Sequence, residues 1–68
     1  MNVAKLKGKF TECELTREEV AQILGINRAT LARKLSGENE FSRTEIQLLK
    51  DHLKLSEQEF LDIFFNEN

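Results

Sequence analysis

Residues 20–35 read VAQILGINRATLARKL. Apolar side chains recur three or four apart on each side of a break at Gly25-Ile26-Asn27: Val20 and Leu24 before it, Leu31 and Leu35 after it. That period predicts two short helices. The glycine predicts where the first one stops, because Gly takes the left-handed conformation of a helix end at no steric cost. Asn27 then caps the second helix, with Ile26 and Leu31 as an apolar staple across the cap. Ala21 lies on the face that a crossing helix must approach closely, and Ile26 and Leu31 fill the angle between the two. Two short helices joined by a three-residue turn containing Gly make a helix-turn-helix.

The same signals extend outward in both directions. A capping box needs Ser or Thr with Glu three residues later, and a staple needs apolar residues just before the cap and four after it. Thr16…Glu19, Ser42…Glu45 and Ser56…Glu59 supply the boxes, and Leu15/Val20, Phe41/Ile46 and Leu55/Phe60 the staples. Gly37 supplies a second stop. The helices expected are 3–13, 17–24, 28–36, 43–53 and 57–65, and no strand-like alternation persists anywhere. The first is the least secure, since Gly8 in its middle costs up to about 1 kcal/mol relative to Ala. The expected core is Leu6, Phe10, Val20, Leu24, Leu31, Leu35, Ile46, Leu49 and Phe60, with Cys13 packing at the end of the first helix. The fold class expected is all-α, five short helices.

Length and composition narrow the function. At 68 residues and 7.9 kDa the chain is read as a single domain, 1–68, and it buries only about 60% of its unfolded surface. A lone cysteine closes no internal disulfide and builds no thiolate zinc site. No apolar run approaches the roughly 20 residues of a membrane span, and the N-terminus lacks the apolar core of a signal peptide; a cytoplasmic protein is expected. The net charge of −2 argues weakly against nucleic acid as a partner, but the distribution argues the other way. Lys5, Lys7 and Lys9 lie in a first stretch without acids, and Arg28, Arg33 and Lys34 in a second. All twelve carboxylates fall outside these two stretches.

The spacing Val20-Ala21-x-x-x-Gly25-Ile26 followed by Leu31 resembles the lambda-repressor-like helix-turn-helix family of phage Cro and CI-type repressors, over nearly the whole chain. Residues 30–37, Thr-Leu-Ala-Arg-Lys-Leu-Ser-Gly, resemble most the small Cro-like regulators of phages of Gram-positive bacteria. The resemblance implies a sequence-specific, double-stranded DNA-binding transcriptional regulator whose third helix lies in the major groove. At 3.6 residues per turn Arg33 points away from the midpoint of Leu31 and Leu35, flanked by small residues and hydroxyls. Arg bonds guanine bidentately, and Ala packs on a thymine methyl. Arg28, Ala29, Ala32 and Arg33 are therefore candidate base readers, and the resemblance implies Asn27 as a further one. Thr16, Arg17, Ser42 and Arg43, at helix starts that meet the DNA backbone in that family, are candidate phosphate contacts. Lys34, Ser36, Asn39, Lys5 and Lys7 join them. Arg17 stands where the family commonly has Gln, and Glu38 and Glu40 stand in a loop where many relatives are basic.

Three of the five phenylalanines lie in the last nine residues. Phe60, Ile63 and Phe64 share an inward arc, which leaves Leu61 and Phe65 outside it as candidates for a homodimer contact. The resemblance implies no cofactor, no metal and no enzymatic activity, and none is expected from the residues: His52 lacks a nearby second ligand, and Glu18 and Glu19 are explained by the helix start. Met1 and the polar ending Asn66-Glu67-Asn68 suit a complete small protein. The alternative reading is a protein-binding antitoxin or antirepressor module on the same scaffold, using the acidic groups after the helix pair: Glu38, Glu40, Asp51, Glu57, Glu59 and Asp62.

Overall fold

In the computed structural model, which describes residues 1–65, five helices follow one another: α1 (Val3–Glu12), α2 (Arg17–Leu24), α3 (Arg28–Leu35), α4 (Arg43–His52) and α5 (Glu57–Phe64). No strand occurs among the described residues. All five starts fall where expected, four of them at caps read from the sequence, and the ends of all but α2 fall one residue earlier. The polar ending Asn66-Glu67-Asn68 lies outside the described residues.

Each start is built as the side chains dictate. Thr16, Ser42 and Ser56 each accept a hydrogen bond from the amide three residues on at 3.1 Å, and Glu19, Glu45 and Glu59 return one from the cap amide. Asn27 caps α3 with its side-chain oxygen 2.7 Å from the Thr30 amide. The cap of α1 is Asn2, which the search for Ser/Thr boxes passes over; its side chain accepts from the Lys5 amide at 3.1 Å. The Asn2 amide also donates to the Ile63 carbonyl at 2.6 Å, tying the start of α1 to the end of α5.

The links reuse one local design. After α1, Leu15 N–H returns to the Phe10 carbonyl and Glu14 N–H to the Thr11 carbonyl; Ile26 and Gly25 do the same after α2, and Leu55 and Lys54 after α4. This pair of bonds satisfies the orphan carbonyls of a helix end and requires a left-handed residue. Gly25 (φ 71°) meets the requirement freely, whereas Glu14 (φ 58°) and Lys54 (φ 51°) do so against their side chains, at about 1 kcal/mol each. Leu15, Ile26 and Leu55 are each at once the apolar residue closing one helix and the staple opening the next. That double duty is why these links need only three or four residues.

The core comprises Leu6, Phe10, Val20, Ala21, Leu24, Leu31, Leu35, Leu49, Leu53, Leu55 and Ile63. Two residues expected inside, Ile46 and Phe60, are only half-buried, because both line a depression that opens between α4 and α5. Cys13 does not pack inside as expected: it is exposed at the end of α1, with its sulfur 3.9 Å from the Leu53 carbonyl. A Cβ on Gly8 would meet nothing within 4 Å, so no neighbour among the described residues requires glycine there.

Ion pairs fasten α1 to α5. Lys5 Nζ lies 3.0 Å from Asp62, and Lys9 pairs with Glu59. The Lys9 ammonium and the Ser56 amide hold the Glu59 carboxyl down at about 2. Glu19, Glu45 and Asp62 are also held below the ordinary carboxylate range. A carboxyl more acidic in the folded than in the unfolded chain binds fewer protons there. Its contribution is therefore complete above the ordinary range and is lost as pH falls through the folded value. The melting temperature is expected to fall between about pH 5 and pH 2, and Glu59→Gln should start lower at neutral pH and fall less steeply. A thermal denaturation series across that range checks it; parallel curves for the two proteins would remove Glu59 from the account.

Candidate nucleic-acid interface

The two sides of α3 differ completely. Leu31 and Leu35 are buried under it, while Arg28, Ala29, Ala32, Arg33 and Ser36 are exposed. With about 100° between successive residues, Ala29 and Arg33 form the crest opposite the buried pair. Arg28 and Ala32 lie on one flank and Lys34 on the other.

The first flank borders a cleft of about 300 Å³. Arg17, at the start of α2, and Lys7, from the middle of α1, line it together with Arg28, Ala32 and Ser36, over a floor of Leu31 and Leu35. Cations from three helices thus share one concavity. Arg17 is held with its guanidinium carbon 5.6 Å from the centre of the Phe10 ring, a cation–π contact that orients the group without neutralising it. Lys7, Arg17, Arg28, Arg33 and Arg43 have no carboxylate partner among the described residues.

Other expected positions are placed differently. Lys5 and Lys9 turn to the carboxylates of α5, so only one of the three lysines of α1 joins the cleft. Lys5 stands in a partly exposed pair with Asp62. Lys34 is half-buried and donates to Glu45 at 2.9 Å and to the Glu40 carbonyl at 3.0 Å, so two of its three ammonium N–H groups are engaged within the fold. Asn27 retains only its amide nitrogen for a ligand, since its oxygen caps α3. The hydroxyls of Thr16 and Ser42 accept in their capping boxes and keep their own proton to donate, whereas that of Ser36 donates to the Arg33 carbonyl at 3.0 Å. Asn39 is exposed in the loop after α3, its amide 3.2 Å from the same Arg33 carbonyl. Arg43 is exposed at the start of α4 and lines the depression between α4 and α5, beside Phe65.

The family model for the antitoxin Xre-like helix-turn-helix domain matches residues 10–50, from Phe10 of α1 to Lys50 of α4. The chain belongs to the Xre-like helix-turn-helix antitoxin family. No curated protein and no solved structure gives a significant match. The match spans the whole α2–α3 unit and, with five helices and no strand among the described residues, makes this an all-α domain of the DNA-binding helix-turn-helix class, related to Cro- and CI-type regulators. Nothing in the match points to a phage of Gram-positive bacteria. Among the described residues of the Xre-like domain no helix is long and apolar enough to cross a membrane. Nor do three His, Cys, Asp or Glu side chains converge as metal ligands there.

Proposed function

We propose that this Xre-like domain is a sequence-specific transcriptional regulator that occupies a double-stranded DNA operator, with α3 in the major groove, in the manner of a phage or prophage Cro-like repressor. The supporting observation is the exposed strip Arg28, Ala29, Ala32 and Arg33, flanked by cations from α1 and α2 that have no carboxylate partner among the described residues. Arg28 and Arg33 reach base edges, the two alanines and the Asn27 amide nitrogen shape the fit, and Lys7, Arg17 and Arg43 meet phosphates. Thr16, Ser36, Asn39 and Ser42 are proposed to add polar contacts along the backbone. Residues 1–68 act as one domain in the cytoplasm, without cofactor, metal or enzymatic chemistry. On DNA the domain pairs with a second copy through Leu61 and Phe65, which are 45% and 67% exposed, so that two α3 helices meet half-sites one turn apart, roughly 34 Å.

A second reading has one observation in its favour, the family's description as antitoxins: a module that masks a protein partner on the same scaffold. Salt titration separates the two. Three phosphate-directed cations correspond to a slope of about −3 in log affinity against log salt per domain, and Lys7→Ala should flatten it by about 1 while weakening all sequences alike. Selection of bound duplexes from a random pool should return a palindrome. Duplex affinity that is absent, or indifferent to salt, would transfer the domain to the protein-binding reading.

A further inference from the structure

Lys34 and Glu45 are the most enclosed ion pair in the protein's described residues, with side chains 12% and 11% exposed. One carboxylate oxygen of Glu45 accepts both the Lys34 ammonium at 2.9 Å and the Ser42 cap amide at 2.7 Å. The ammonium also donates to the Glu40 carbonyl at 3.0 Å and stands 5.9 Å from the centre of the Phe41 ring. Burial alone would push the Glu45 carboxyl up, but the Ser42 amide and Lys34 outweigh it and keep the group ionised. The last turn of α3, the loop that follows it and the first turn of α4 are therefore fastened at a single point. On one side of that point stands Arg33; on the other stand Asn39, Ser42 and Arg43.

We infer that Lys34 and Glu45 are positioning residues, which touch no ligand themselves but index the groove-facing crest of α3 to the phosphate-facing start of α4. The inference rests on the reading of α3 as the DNA helix. It inverts simple electrostatics. If charge alone mattered, losing a lysine would weaken DNA binding and losing a glutamate would strengthen it. For a positioning pair, both losses weaken it.

The test uses Lys34→Met, which keeps an apolar stem against Phe41, Glu45→Gln, whose amide oxygen can still accept from Ser42, and the double variant. Binding is measured on the selected duplex across a salt series, below the melting temperature of every variant. Each single variant should lose roughly five- to tenfold in affinity, and the double variant no more than the weaker single one. The salt slope should stay at the wild-type value. Tighter binding by Glu45→Gln, or a slope flattened by about 1 in Lys34→Met, would make Lys34 a phosphate contact and overturn the inference. A lowered melting temperature with unchanged affinity would overturn it equally, leaving a stabilising pair and nothing more. Amide exchange on the free proteins gives the second readout. Amides of residues 38–43 should exchange faster in both single variants while those of α1 and α5 do not, and uniform or unchanged rates would also overturn the pair's role. If the wild-type protein binds no duplex at all, the proposed function fails on its own, and the exchange pattern alone decides whether the pair holds the loop.

Discussion

Leu31→Ala is expected to remove half or more of the chain's folding stability. Leu31 is 0% exposed, sits one turn into α3 and forms the far side of the staple with Ile26. It also floors the cleft that carries Lys7, Arg17 and Arg28. Removing a buried leucine side chain costs about 2–5 kcal/mol, the larger values where neighbours cannot collapse into the space. Collapse is hindered here, because α2 and α3 are held apart by a turn whose geometry Gly25 and the Asn27 cap already determine. At roughly 0.05–0.15 kcal/mol per residue, a chain of this size has only about 3–10 kcal/mol to lose. Urea denaturation followed by circular dichroism should show the midpoint reduced by half or more. Leu48→Ala, at a half-buried position of α4, should lose less. A loss below about 1 kcal/mol for Leu31→Ala would mean that α3 is seated by something other than this side chain.

The difference between what could be read from the sequence and what could not follows the range of the interactions. Helix starts were legible because a cap and its partner are three residues apart: Thr16 with Glu19, Ser42 with Glu45 and Ser56 with Glu59 are all formed as written. Glycine marks the stops after α2 and α3, and the other ends fall within one residue of expectation without that marker. Glu14 and Lys54 take the same left-handed geometry without it, and the signal that marks them is instead the apolar residue that follows, Leu15 or Leu55, doubling as a staple. The outward face of α3 came from periodicity, which needs nothing but the positions of Leu31 and Leu35. Lys34 shows where that reasoning ends. Its place on the helix, about 80° from the buried axis, puts it on a flank, and the flank's direction depends on what stands there. The partner is Glu45, eleven residues away, already accounted for as the acid of a capping box. Lys5 and Lys9 follow the same logic, since their partners Asp62 and Glu59 lie across the fold on α5. Cations whose mates are distant in sequence look free until the chain is folded.

That sorting gives Arg33 particular weight, and Arg33→Ala is the binding change expected to be largest. Of the three cations on α3, Lys34 pairs with Glu45 and Arg28 lies in the cleft beside Lys7 and Arg17. Neighbouring positive charge in that cleft can sustain phosphate attraction after any one of them is removed. Arg33 has no such substitute: it stands on the crest, exposed and without a carboxylate partner among the described residues, and its own carbonyl anchors the following loop through the Glu38 and Asn39 amides. A guanidinium so placed can bond guanine O6 and N7 together, a pairing whose loss costs about 1–3 kcal/mol of discrimination. Arg33→Ala should therefore lower affinity for the selected operator far more than for random duplex, whereas Lys7→Ala lowers both alike. Repeating the selection with the Arg33→Ala protein measures this at single-position resolution. A palindrome degenerate at one symmetry-related pair of positions is the expected result. An unchanged consensus, with only the overall affinity reduced, would move Arg33 from the bases to the backbone and leave Arg28 to carry the specificity.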